Sequence, residues 1–373
     1  MKIIYKLAFL LLFQFFSSCN QAAKLPQSSA QPDSLQIQKN DRAGTAQIIY
    51  KSTDGGQTWQ DINEGLPQLG KEEGMDRNIV FADDNGLWLT AGKGLYHSKP
   101  TATVPFWGKS SLPDEHSSIA PGKAGIYASN YGGVGIFQKR NGTSVWSPVF
   151  TNFAEKQIFS VFETGGGTVF IGSDRGLFKS SNSGKSWKQL PVGGGGKMVA
   201  SNGVLLSTSE AGILRSTDDG ENWAVVISEG GVGIDVASIN GGFAAITYST
   251  VSKTRRIRTS YDGGKTWQAI DTGLQTPGFI EPILMKVNAN RPAKGFSDST
   301  RHPLDTDDLM EPTYITTIIQ VGENFFCGHT YGIYKSSDKG KTWKLVRSAE
   351  EGKMFLLSVF GNVIYAIQTL SHC

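Results

Sequence analysis

A string of eight residues that ends in tryptophan recurs along this chain and limits its fold more than any other feature. The first copy is Ser52-Thr53-Asp54-Gly55-Gly56-Gln57-Thr58-Trp59. Four more run from Ser180 to Trp187, Ser216 to Trp223, Ser260 to Trp267 and Ser336 to Trp343, and two worn copies end at Trp107 and Trp146. The tryptophans that end these seven strings are 48, 39, 41, 36, 44 and 76 residues apart. A period of about 40 residues is what one four-stranded propeller blade needs. The third residue of each close copy, Asp54, Asn182, Asp218, Asp262 or Asp338, has a short side chain that can bind backbone N–H groups within a turn. The glycine supplies a positive φ, and Trp59, Trp187, Trp223, Trp267 or Trp343 packs at the edge of a core. These acids therefore read as turn builders, not as catalysts.

Upstream of the strings lies a second regularity, an apolar strand, a short turn and then Gly, two or three mostly apolar residues and Ser. Thr168 to Gly172 leads to Gly176-Leu177-Phe178-Lys179-Ser180, and Asn324 to Gly328 leads to Gly332-Ile333-Tyr334-Lys335-Ser336. These read as the second and third strands of blades. The two ends of the chain are complementary: one strand, Gln47 to Lys51, precedes the first string, and two strands, Met354 to Phe360 and Asn362 to Gln368, follow the last. Joined, they complete a blade and remove the open edges of the ring. The expected fold is all-β, a single seven-bladed β-propeller of four-stranded antiparallel blades over residues 45–373, closed by N- and C-terminal strands sharing one blade. The 76-residue step holds one blade plus roughly 35 residues beyond the usual repeat. That excess, 275–312, reads as a long loop and not as an eighth blade, because no Gly-aromatic-x-x-Ser string occurs in it.

Composition agrees with many short strands and tight turns: Gly is 45 of 373 residues and the aromatic fraction is 10%. Lys2 and Lys6 precede an apolar run, Leu7 to Phe16, that is too short to span a bilayer, as in a signal peptide over 1–18. Without that leader 34 basic residues face 33 acidic ones, so no basic field argues for a nucleic-acid partner. Phe16-Ser17-Ser18-Cys19 resembles a bacterial lipobox, which implies acylation of Cys19 and stable anchoring by several chains. Asn20 after the cysteine implies sorting to the outer membrane of a bacterial envelope. Residues 19–44, rich in Gln, Ser, Ala and Pro, read as a flexible tether. Cys327 and Cys373 could pair in an oxidising compartment; Cys327 sits in a strand-like run and Cys373 ends the chain, which favours a buried free thiol.

The string S-x-D-x-G-x-T-W resembles the Asp-box, or BNR repeat, of sialidase-like β-propellers, over nearly the whole chain beyond the leader. The resemblance implies that each box joins the third and fourth strands, on the face opposite the ligand funnel. Ligands of such propellers meet the loops entering the innermost strand and those between the second and third strands. Mapped here, the first set gives Arg77, His116, Lys156, Lys197, Asp235 and Tyr314. The second gives Lys93, Asp174, Arg175, Glu210, Arg255, Arg256, His329 and Tyr331. This rim is mixed in charge and partly aromatic, as a carbohydrate- or peptide-binding mouth would be.

Sialidase chemistry needs an arginine triad, a Tyr–Glu nucleophile pair and an Asp acid/base. The family's Tyr/Phe-Arg-Ile-Pro motif is missing; the nearest string is Arg256-Ile257-Arg258-Thr259, which leads straight into a box. Arg215 and Arg258 occupy the slot of Lys51, Lys179 and Lys335 just before the boxes, and read as outer-surface basics. Propeller xyloglucanases work in a cleft between two propellers, whereas one is expected here. His302 with Asp305, Asp307 and Asp308 fits neither a zinc motif nor a calcium loop, and Gly193 to Lys197 lacks the ending of a phosphate-binding loop. The repeats are most similar to those of photosystem II stability and assembly factors and of sortilin-type receptors, which bind peptides or proteins. The role these readings imply is a membrane-anchored, non-catalytic scaffold without metal or cofactor, recognising an envelope protein, peptide or glycan at the mouth. The alternative is an exo-acting glycoside hydrolase of the sialidase-like clan.

Overall fold

The computed structural model describes residues 49–67, 80–83, 86–91, 94–98, 107–110, 116–122, 125–130, 136–149, 158–173, 176–193, 196–228, 231–272, 274, 315–350 and 353–370. The leader, Cys19, the tether, Cys373 and the long insertion lie outside them. The chain separates into two compact units, Met1–Ala43 and Gly44–Cys373, and every described residue belongs to the second.

That unit is a β-propeller of seven four-stranded antiparallel sheets in a ring, with no helix among the described residues. Blade 4 shows the plan: Ile158–Glu163 is innermost, followed outward by Val169–Ser173, Gly176–Ser180 and the two-residue Lys188–Gln189. In chain order, blades 2 to 7 repeat it. Blade 1 is composite. Lys353–Phe360 and Val363–Leu370 form its inner half, and Ile49–Ser52 pairs with the latter in register Ile49↔Ile367 to Ser52↔Ile364. The closure expected from the unequal chain ends is therefore the one observed.

The second strands hold the core because they are covered on both faces by neighbouring blades. Phe170, Leu206, Ile246 and Phe326 are each fully buried. Core clusters bridge adjacent blades: Leu206 and Ile213 of blade 5 pack with Val236 and Phe243 of blade 6. Each such side chain stabilises the fold by about 1.5–3 kcal/mol. Cys327 is one of these core residues, a buried free thiol whose pKa burial pushes up.

Candidate functional site

Antiparallel order alone gives the ring two unlike ends. Turns from first to second and from third to fourth strand lie at one end; turns from second to third strand and the passages between blades lie at the other. The Asp-boxes fall between third and fourth strands, at the first end. In the first box the Ser52 hydroxyl donates to Asp54 Oδ1 at 2.8 Å and accepts the Gly56 N–H at 2.9 Å. The Thr58 hydroxyl and N–H both donate to Asp54, and these bonds, Thr58's hydroxyl first, hold its carboxyl down at about 2. Thr342 does the same for Asp338, also at about 2, and Asp218 and Asp262 lie well below the usual carboxylate range through Asn222 and Thr266. A carboxylate saturated with donors is stabilised as the anion and is a poor proton donor or nucleophile.

The basic residues before the boxes differ from the sequence expectation. Lys179 and Arg258 are buried, and the slot faces the neighbouring blade. Lys179 Nζ lies 2.7 Å from Glu221 and 3.3 Å from Asp219, both in the next blade's box. Arg215 Nε donates to Gly263 O at 2.7 Å, and Lys335 Nζ to Gly55 O at 3.0 Å, again in the following box. Arg258 instead turns to the Thr247 hydroxyl in its own blade, at 2.8 Å. The reason is geometric. Third-strand side chains at this height project from the face of the sheet toward the next blade, where a box turn presents free carbonyls or acids. The box glycine completes the contact: a Cβ at Gly220 would stand 2.6 Å from the Phe170 ring, and one at Gly56 2.7 Å from Phe326. Lys179 and Lys335 also lie over those same rings, at 6.0 and 5.5 Å.

At the opposite end, where the sequence expectation puts the mouth, the innermost strands carry a bulge just before the residue that counts. Register shifts fall between Gly233 and Asp235 and between Ile315 and Thr317. A bulge re-aims a side chain, and the inner edge of an innermost strand has N–H groups with no strand to pair with. Asp235, 2% exposed, accepts one of these, the Ile318 N–H of blade 7, at 3.0 Å. Its other oxygen lies 2.7 Å from Lys197 Nζ of blade 5. One blade further round, the Thr317 hydroxyl accepts the Leu357 N–H at 3.0 Å. Asp235 thus clasps three blades at the axis.

The second-to-third connections hold the remaining described candidates. Arg256 grips Asp271 with both nitrogens, at 2.7 and 3.0 Å, and Asp271 also accepts the Ile257 N–H at 3.1 Å. Such bidentate pairing fixes both groups. His329 is 2% exposed; its Nδ1 accepts the Tyr331 N–H at 3.1 Å, and burial pushes its pKa down to about 4. The ring is therefore neutral at physiological pH and carries its proton on Nε2. Tyr331 lies over it with ring centroids 5.3 Å apart and is 44% exposed, while Tyr334 meets it edge-on at 5.2 Å. Glu210 stands exposed in the turn of blade 5. Arg77, Lys93, Lys156, Asp174, Arg175 and Tyr314, and the side chain of His116, lie outside the described residues. The sequence expectation put Asp235 and His329 on an exposed rim, whereas both side chains are buried. It missed Asp271, because nothing in the spacing of an outermost strand marks the partner of an arginine on the third.

Residues 50–61 match the model of the BNR/Asp-box repeat. Fold and repeat together define the class: this is a seven-bladed β-propeller that carries Asp-box repeats. Among solved structures it is similar to a GH74 xyloglucanase from Xanthomonas campestris, with 16% identity, a TM-score of 0.57, and 87% of this chain aligned to 55% of that one. It is also similar to the extracellular domain of BT4673 from B. thetaiotaomicron, a protein assigned to the hybrid two component systems. There identity is 14%, the TM-score 0.50, and 79% of this chain covers 37% of that one. The chain thus spans about half the length or less of these structures. At such identities the likeness is one of fold. No curated protein sequence matches the chain.

Proposed function

We propose that this propeller is a membrane-tethered, non-catalytic binding scaffold whose ligand, an envelope protein, peptide or glycan, docks at the mouth. One observation carries the reading. The described mouth carboxylates Asp235 and Asp271 each engage both oxygens in an ion pair and a backbone N–H, whereas Tyr331 and Glu210 present open surface. Groups fixed in that way hold a shape; groups exposed beside them recognise. Tyr331, backed by the buried His329, is a stiff aromatic contact of the kind that dominates binding energy. Acylation at Cys19 and the tether over 19–44 would hold this surface near an outer membrane.

The test pairs a glycan array with pull-down from envelope extracts, using the wild type, Tyr331→Ala and Glu210→Lys. Binding to a defined ligand that falls at least about tenfold in Tyr331→Ala, with unfolding unchanged, supports the proposal. Turnover of a sialoside or xyloglucan oligosaccharide by the purified chain would replace it with the hydrolase reading.

A further inference from the structure

The outermost strand of each blade is an edge, with a row of backbone groups that its own sheet does not pair. Such an edge invites pairing with another chain, and folded proteins blunt it by shortness, charge or proline. The outermost strands of all seven blades are described, and those of six blades are blunted. Gln60–Asp61, Gly108–Lys109, Lys188–Gln189 and Gln268–Ala269 are two residues long. Trp146–Val149 carries Pro148, and Lys344–Ser348 carries Lys344 and Arg347. Ala224–Ile227 of blade 5 has none of these devices. Its four residues are Ala-Val-Val-Ile, and the run from Asn222 to Ser228 holds neither a charge nor a proline. On its inner side the strand pairs with Gly212–Ser216, Ala224 opposite Arg215 and Val225 opposite Leu214. Ala224 and Val225 are exposed, Val225 at 47%. Its β-branched residues favour the extended state that a further strand would meet.

We propose that Ala224–Ile227 is a self-association edge, through which two copies of this chain pair antiparallel across a two-fold axis. The edge lies on the outer wall of the ring, so this contact leaves the mouth unoccupied. Its residues fit a second copy. With the axis between Val225 and Val226, Val225 of one copy lies opposite Val226 of the other, and Ala224 opposite Ile227. The flanking pairs set Trp223 against Ser228, so no like charges meet anywhere in the register. Facing β-branched pairs stabilise a ladder, whereas facing like charges oppose it. The same operation on Lys344–Ser348, with the axis between Leu345 and Val346, would set Lys344 against Arg347. A two-fold contact is closed, and one bare edge per propeller stops association at the dimer. A four-residue pairing falls short of the roughly 1,200 Å² of a standard interface, so the dimer forms only at high concentration.

Sedimentation equilibrium of the full chain in a density-matched detergent tests this between about 10 and about 500 μM, on the wild type, Val225→Lys and Leu345→Lys. The wild type should pass from monomer to dimer across that range and go no further. Val225→Lys charges the bare edge and should weaken dimerisation at least about tenfold. Leu345→Lys adds a charge to an edge that already has two, and should leave dimerisation within about twofold. Both side chains are exposed, so thermal unfolding of either variant should match the wild type. Four results overturn the proposal: a wild type that stays monomeric at every concentration, association beyond the dimer, Val225→Lys that dimerises like the wild type, or Leu345→Lys that is as damaging as Val225→Lys.

Discussion

His329 should make the propeller acid-sensitive in a pH range where carboxylates contribute little. Its folded pKa, about 4, lies below the ordinary 6.5 because burial disfavours the imidazolium. Between those values the unfolded chain holds a proton that the native chain does not, so stability falls as pH falls. It is complete above about 6.5, and the full shift amounts to about 3 kcal/mol. At pH 5 about 2 kcal/mol of it is already lost. A propeller unit spanning Gly44–Cys373 has an unfolding entropy near 0.7 kcal/mol/K, so 2 kcal/mol lowers Tm by about 3 °C. Urea unfolding of the wild type and His329→Gln at pH 7.5, 6, 5 and 4.5 reads this directly. The variant loses ring packing and is less stable at pH 7.5, yet it lacks the titrating group, so the gap should close by about 2 kcal/mol at pH 5. Parallel curves for the two proteins from pH 7.5 to 5 would refute the reasoning.

Three further outcomes are expected. The Asp-box carboxyls, with folded values near 2 for Asp54 and Asp338, bind fewer protons than the unfolded chain between pH 4 and 2. The urea midpoint should therefore drop across that window, and less steeply in Asp338→Asn. Gly220→Ala sets a side chain at φ +81° and 2.6 Å from Phe170, which should cost about 2–4 kcal/mol in urea unfolding. Phe170→Leu should recover part of that loss, giving a non-additive double-mutant cycle. Asp235→Ala strands the Ile318 N–H and unpairs Lys197, for a loss of about 3 kcal/mol, while binding by a mouth ligand that touches only Tyr331 should stay within about twofold at temperatures where the fold persists.

The sequence made the ring legible because every blade has to solve the same turn with the same atoms. Asp54, Asp218, Asp262 and Asp338 bind their own boxes within four residues, so the signal is local and survives in a linear reading. Closure was legible for a related reason, since a third strand without its first two, and two strands without a third, imply each other. The interfaces between blades were not. Lys179 meets Glu221 across 42 positions and Asp235 meets Ile318 across 83, and both separations depend on loop lengths that no local pattern fixes. Hence Lys179, Arg215 and Lys335 read as surface charges, although each clasps the following blade. Exposure at the expected mouth was not legible residue by residue, because whether His329 or Tyr331 faces water depends on how one short turn folds over Tyr334.

The two ends of the ring therefore differ in how much change they can absorb. At the Asp-box end, Gly220 is held by its own positive φ, by the Phe170 ring beneath it and by Lys179 reaching to its neighbours Asp219 and Glu221. Altering any of these disturbs two blades at once, and a propeller can vary there only by correlated change. At the opposite end such restriction stops below the tip of blade 6: a Cβ at Gly233 would stand 2.5 Å from Gly212 O of blade 5, whereas residues 250–254 are exposed. Adding two rungs to blade 6 leaves each register below them intact, from Ile246↔Ile257 down to Phe243↔Ser260. Side chains at that tip can thus change without disturbing the registers below, and among the described second strands only Val363–Leu370 of blade 1 is as long as Gly242–Ser249 of blade 6.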